Sequence, residues 1–270
     1  MTDNTFWFLG GDAAPSESAR SDDGALVAMR ATPRHQAPDG ALSNNPADWW
    51  RDVLYARRIR KASARQWSGI IHQLHRRFNF ARICLDPGGG GQWVKRELCL
   101  SRQTIENIDT EVTPIVTPDE TSVVQAHFIL SMCKRGDPCI ESQWPSLTGD
   151  DVLVDTLYSS LKEALDHCEL GFVPPIKDWP RERMMGWSEE KVWCLKNLTV
   201  LLSQLKNILV ATKEDGSWLF TKRNARQFGA KGKKDFVSGL MYANTAFLTW
   251  LKENDGQWDT GSKDPMFSSF

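Results

Sequence analysis

The sequence predicts a mixed α/β sheet with helices packed on its faces, and three observations predict it. Short apolar runs dominate the beginning of the chain, strand-like and helix-like segments alternate through the middle, and helical patterns close it. With 270 residues, 41% of them hydrophobic, there is enough apolar material for a sizeable core. The longest apolar stretches, such as Phe6 to Leu9 and Leu198 to Leu202, are far shorter than the ~20 residues of a membrane-spanning helix. No charged-then-apolar signal segment opens the chain, so the expected setting is inside a cell. Six cysteines at irregular intervals read as reduced thiols, and Cys133 with Cys139 has no second ligand pair to make a zinc site.

Phe6 to Leu9, closed by Gly10, Gly11 and Asp12, and Gly24 to Arg30 read as an antiparallel pair of strands. Ala31 to Pro46, with Pro33, Pro38, Gly40 and Pro46, reads as a long exposed loop. Val53 to Arg60 reads as a third strand. Ser63 then caps a helix whose Trp67, Ile70, Ile71, Leu74 and Phe78 share one face. Ala81 to Asp86 is a compact strand ended by aspartate, Pro87 and four glycines, and helical character resumes over Gln92 to Leu98. Val112 to Val116 is a strand candidate. Asp151 to Leu170 is an amphipathic helix with Val152, Leu153, Thr156, Leu157, Leu161 and Leu165 inward. Pro174 to Gly186 reads as a loop. The helix opened by Ser188 carries a stripe of Val192, Leu195, Leu202, Leu205 and Leu209. A hairpin turn is expected at 214–216, a last helix from Asp235 to Lys252, and a mobile tail from Asn254 onward.

Asp12 and Asp86 each end an apolar strand beside glycine. A carboxylate in a strand centre is heavily penalised by desolvation, whereas strand ends open onto the crevice of an α/β sheet. Asp235 opens a helix on which Gly239, Ala243 and Ala246, at i+4, i+8 and i+11, form a face of small residues that lets it lie close to the sheet. Three carboxylates without histidine or cysteine suit Mg²⁺ or Mn²⁺, and two such ions about 4 Å apart can drive phosphodiester cleavage. The net charge of −1 hides two basic blocks. Arg51 to Arg82 holds nine Lys or Arg against Asp52 alone. Lys222, Arg223, Arg226, Lys231, Lys233 and Lys234, with no acid among them, lead into Asp235 and are candidate DNA phosphate contacts.

The segments FWFLGGDAA (6–14), DDGALVAMR (22–30), FARICLDPGGGGQWVKREL (80–98) and KKDFVSGLMYANTAF (233–247) resemble the C-terminal nuclease domain of phage large terminase subunits. The resemblance implies an RNase H-like mixed sheet flanked by helices on both faces, and an endonuclease that cuts double-stranded DNA during genome packaging. It implies Asp12, Asp86 and Asp235 as catalytic and metal-binding residues holding two Mg²⁺ or Mn²⁺ ions. Further implications are a packaging ATPase domain, a small terminase subunit and a portal as partners, and the cytoplasm of an infected bacterial cell as the setting. The expected nuclease domain spans 1–253, with 254–270 as the tail; residues 117–187 carry little of the resemblance.

No GxxxxGK[ST] occurs: neither GGGGQWVK nor GAKGKKD has the required ending. The chain is therefore expected to be a nuclease without the packaging ATPase, either an excised domain or a separate gene product. Two alternatives stand beside it, another RNase H-like nuclease such as a Holliday-junction resolvase, and a non-catalytic DNA-binding or docking module. His35, His72, His75, His127 and His167 include no HExxH, and His72 with His75 is expected on the solvated side of its helix. No GxSxG or Cys-His signature is present. The twelve tryptophans are scattered and read as core or interface residues.

Overall fold

The structure, a computed structural model, describes residues 4–15, 23–35, 42–86, 89–105, 108–115, 128–130, 153–206, 208–212, 218–222 and 235–254. Strands β1 (Phe6–Asp12), β2 (Gly24–Pro33) and β3 (Trp49–Ile59) form an antiparallel meander. On the other side of β1 lie β4 (Phe80–Leu85), parallel to it, and then β7 (Phe128–Leu130), parallel to β4; β8 (Leu170–Phe172) runs parallel to the outer edge of β3. The order β7-β4-β1-β2-β3-β8 is a mixed sheet, antiparallel from β1 to β3 and parallel from β1 through β4 to β7. Two smaller hairpins stand apart from it: β5 (Arg102–Ile105) with β6 (Ile108–Glu111), and β9 (Ile208–Thr212) with β10 (Trp218–Lys222).

Helices cover both faces, and alternation along the strands sorts the core accordingly. Phe8, Val27, Val53 and Cys84 point into one core with α3 (Leu153–Asp166), α5 (Glu189–Lys206) and α6 (Asp235–Glu253). Leu9, Leu26, Tyr55, Ile83 and Leu85 point the other way, toward α1 (Ala64–Phe78) and α2 (Gly89–Leu98). A fourth, short helix, α4 (Arg181–Met184), and a 3-10 turn at Ile176–Asp178 lie within the segment expected to be a loop.

Local signals explain most boundaries. Ser63 Oγ accepts from the Gln66 N–H while the Gln66 side chain accepts from the Ser63 N–H, a reciprocal cap on α1. Asn79, at φ 49°, ends that helix in the left-handed conformation. Ser188 Oγ accepts from the Lys191 N–H at the start of α5.

Several expectations need correction. His72 is 4% exposed, because α1 is covered by the sheet on one side and by β5 on another; Gly69 lies so close to β5 that a Cβ there would meet the Thr104 carbonyl oxygen at 2.1 Å. The run from Val112 to Ile115 is no strand. Val112 and Ile115 are buried anchors that fasten the β5-β6 hairpin to Ser101 and the end of α2 by backbone hydrogen bonds; Val116 lies outside the described residues. The glycine run is already helical from Gly89. The stretch after Arg30 remains strand to Pro33, and Leu42 is buried in the core. The buried face of α5 is Leu195, Leu198 and Leu201, since this helix packs against both β3 and α6, and Leu209 belongs to β9, opposite Thr221. Cys133, Cys139, Val152 and the tail from residue 255 lie outside the described residues.

The first basic block opens with a buried charge. Arg51 is 1% exposed, ion-paired with Glu169 and hydrogen-bonded to Asn244 Oδ1 of α6 at 2.6 Å. Burial, and secondarily Arg34, lowers its pKa to about 10, so it is charged at neutral pH and depends on its partners. Glu169→Ala should destabilise the fold by about 3–5 kcal/mol, because an uncompensated charge stays inside. The double change Arg51→Met with Glu169→Leu should lose much less, as read by urea unfolding.

Burial, with His75 and Arg76 adding to it, lowers the pKa of His72 to about 4. Stability held by the neutral imidazole is therefore full above the unfolded-state pKa of about 6.5 and declines as pH falls from there toward 4. Unfolding free energy should drop by about 2–3 kcal/mol over that window from this residue alone, and His72→Leu should flatten the profile there. An unaltered slope in that variant would contradict the assignment.

Candidate functional site

The carboxyl ends of β1 and β4 carry Asp12 and Asp86. The parallel register pairs Gly10 with Cys84 and Gly11 with Leu85. One step further, the Asp86 N–H donates to the Gly11 carbonyl oxygen at 2.8 Å, so the ladder continues past the end of β4 and seats Asp86 beside Asp12. The alternation that sends Phe8 and Cys84 toward α6 also places Gly10, Asp12 and Asp86 on that face.

Helix α6 lies on this face backbone against backbone. A Cβ on Gly10 would fall 2.1 Å from both the Ala243 nitrogen and the Gly239 carbonyl oxygen, and one on Gly239 would meet Val27 Cγ2 at 3.1 Å. The small-residue face read from the sequence is therefore the face in contact. Contacts along the helix fix its direction: Trp250 packs tilted on Phe6 and edge-on against Phe8, Phe247 packs on Phe8, and Gly239 and Ala243 sit over Gly10. The helix runs antiparallel to β1. From Gly239 back to Asp235 is about 6 Å of helix, and from Gly10 on to Asp12 is about 6–7 Å of strand. Asp235 therefore stands at the level of Asp12, over the same end of the sheet.

The electrostatics agree. Tyr242, on α6 two turns from Asp235, is 5% exposed; burial first, then the charges of Asp86, Cys84 and Asp12, raise its pKa well above the usual phenol range. One hydroxyl thus feels both strand-end carboxylates. The Phe236 N–H donates to Gln204 Oε1 of α5 at 3.1 Å, which caps the first turn of α6, and one oxygen of Asp235, Oδ2, is shielded from solvent. The carboxylate also lies at the helix end where the macrodipole favours an anion.

Behind Asp86 the start of α2 is packed without clearance. A Cβ on Gly91 would fall 1.7 Å from the Asp86 carbonyl oxygen, and one on Gly90 would fall 2.2 Å from that of Ala13. These glycines let a helix begin directly behind both strand ends.

The donor set is all carboxylate, which suits a hard, oxygen-seeking divalent cation. Among the described residues, no three or more His, Cys, Asp or Glu side chains are grouped so that they could hold a metal ion. Of the expected phosphate contacts, Lys222 ends β10, while Arg223, Arg226, Lys231, Lys233 and Lys234 lie outside the described residues.

Two residues near the site escaped sequence reading. Arg58, paired across from Ala25, which in turn pairs with Asp12, sits 5.4 Å from the ring of Phe236, the neighbour of Asp235. Its placement depends on strand register, which a run of arginines does not reveal. Tyr242 is seven residues beyond Asp235 and so shares its helix face, a spacing that could have marked it.

No protein-family model matches the chain, and no curated protein sequence matches it. Among solved structures, the chain is similar to the large terminase nuclease from thermophilic phage G20c with bound magnesium, at 11% identity and a TM-score of 0.46, over 90% of this chain and 82% of that one. It is also similar to the nuclease domain of the large terminase subunit gp2 of bacterial virus Sf6, at 12% identity and a TM-score of 0.46, over 87% and 86% of the two chains. A mutant of that domain solved with manganese gives 11% identity and the same TM-score and coverage.

Proposed function

We propose that this chain is a metal-dependent endonuclease that cuts double-stranded DNA, with Asp12, Asp86 and Asp235 holding two Mg²⁺ or Mn²⁺ ions. The observation that supports this reading is that Asp12 and Asp86 end neighbouring strands on one face of the sheet, while the contact of α6 with Gly10 turns the Asp235 end of that helix toward the same end, although the three residues are 74 and 149 apart in sequence. When bound, the ions supply activation of a water nucleophile and charge neutralisation at the phosphate and the leaving oxygen. The protein's own contribution is placement. Asp12 and Asp86 are held by a hydrogen-bonded ladder and Asp235 by a capped helix end, so their oxygens are pre-ordered before substrate arrives. Tyr242 stays protonated beside them and adds no further negative charge. Lys222, Arg223, Arg226, Lys231, Lys233 and Lys234 are proposed to hold substrate phosphates on the approach to Asp235, as a clamp of low sequence preference. The solved nuclease domains to which the chain is similar include ones with magnesium and manganese, and a role in phage genome packaging, beside an ATPase domain, a small subunit and a portal in an infected bacterium, is the setting proposed here.

Supercoiled plasmid incubated with the protein should be nicked or linearised in Mg²⁺ or Mn²⁺ and left intact in EDTA. Asp86→Asn keeps the shape and removes the charge, so its cleavage should fall below about 1% of wild type with the melting temperature little changed. Full cleavage in EDTA, or by this variant, would refute the proposed role of the carboxylates.

A further inference from the structure

The remaining cations of the first basic block are gathered by the fold into one place. At the carboxyl end of β3 and in the turn that follows, Arg57, Arg58, Arg60 and Lys61 line an open groove of about 360 Å³. Gln66 and Gln73 of α1 add amide groups, and none of the residues lining the groove is acidic. Asp23 pairs with Arg60 at 3.0 Å and reaches Arg58 at 3.9 Å, which balances one of the four charges and leaves a net positive groove. Arg57 shares its strand face with Tyr55, on the α1 side of the sheet. Lys61 adopts φ 46°, a left-handed conformation uncommon for a residue other than Gly or Asn. A cation thus occupies a backbone position where glycine would be less strained.

The location gives the groove its meaning. β1 and β2 are antiparallel, as are β2 and β3, so the carboxyl end of β3 lies at the same end of the sheet as Asp12. The register runs from Asp12 to Ala25 to Arg58. Two strand spacings, roughly 10 Å, separate Arg58 from Asp12, about the axial length of three base steps at 3.4 Å each. Arg58 lies on the α6 face beside Phe236, whereas Arg57, which shares a face with Tyr55 and Ile59, lies on the α1 face. The cations therefore wrap over the edge of the sheet, from the aspartates toward the groove.

We propose that this groove is a second binding site for the sugar-phosphate backbone of duplex DNA, and that the strand leaving the aspartates crosses the end of the sheet to be held by Arg57, Arg58, Arg60 and Lys61. The inference rests on the nuclease reading and extends it. It places a phosphate track across β2 and β3, on the opposite side of Asp12 from β4 and separate from the segment 222–234. Spaced guanidinium and ammonium groups with neutral amides beside them recognise phosphates without reading bases.

Binding of a fluorescently labelled duplex, followed by anisotropy in EDTA over a range of salt concentrations, tests the track without cleavage. Arg60 is 62% exposed on its side chain and Lys61 is exposed, so Arg60→Ala with Lys61→Ala leaves the core intact. The plot of log K against log[salt] should become shallower by about 1.8, some 0.9 per lost contact, and Arg60→Glu with Lys61→Glu should weaken binding further. Unchanged affinity and slope in both variants would overturn the groove while leaving metal-dependent plasmid cleavage, and so the nuclease reading, standing. A wild-type chain that neither bound duplex in EDTA nor cut plasmid in Mn²⁺ would overturn both.

Discussion

The close approach of α6 to β1 is the constraint on which the rest of the architecture depends. Helices packing through side chains keep their axes about 8–10 Å apart; here a glycine on the strand faces a glycine and an alanine on the helix, and the Cβ position of Gly10 is filled by helix backbone. Such contact forgoes side-chain burial at the centre, and large aromatic groups at the other end of the same face make up for it. Phe6, Phe8, Trp49, Phe247 and Trp250 form one edge-packed cluster there. The cluster anchors the carboxyl half of α6, the glycine contact sets its height, and Asp235 is carried to the end of the sheet where Asp12 and Asp86 already stand.

A second tie fixes α6 laterally. Asn244, one residue beyond the glycine contact, accepts from Arg51 of β3, and Arg51 pairs with Glu169 just before β8. Three distant parts of the chain meet in that buried network, which makes it a specifier of position more than a source of stability. The proposed site and the network thus share one helix.

Much of this arrangement was legible in the sequence, because strong local rules wrote it. Apolar runs closed by Gly-Gly-Asp and by Asp-Pro-Gly, a Ser63/Gln66 cap, and a helix with Gly239, Ala243 and Ala246 on one side are short-range patterns with direct physical meaning. What escaped depends on partners far away. Arg51 belongs to a basic run and looks solvated until Glu169 is placed beside it. His72 is polar, and its burial follows only once β5 is known to cover α1. The β5-β6 hairpin has few apolar residues and no Asn-Gly or Asp-Gly turn, so no periodicity announced it. Arg58 and Arg57 are adjacent letters that the pleat sends to opposite faces. Only the register of β3 on β2 shows which one approaches Asp12.

The proposal that Asp12, Asp86 and Asp235 hold divalent metal ions depends on the α6-β1 contact that turns Asp235 toward the strand ends. Anomalous diffraction from crystals of this chain soaked in Mn²⁺ tests it most directly. Manganese peaks are expected at the carboxyl ends of β1 and β4, within about 2–2.5 Å of oxygens from Asp12, Asp86 and Asp235, and lost in Asp86→Asn crystals. Peaks confined to other acidic residues, or none at this end of the sheet under conditions that support cleavage, would contradict it.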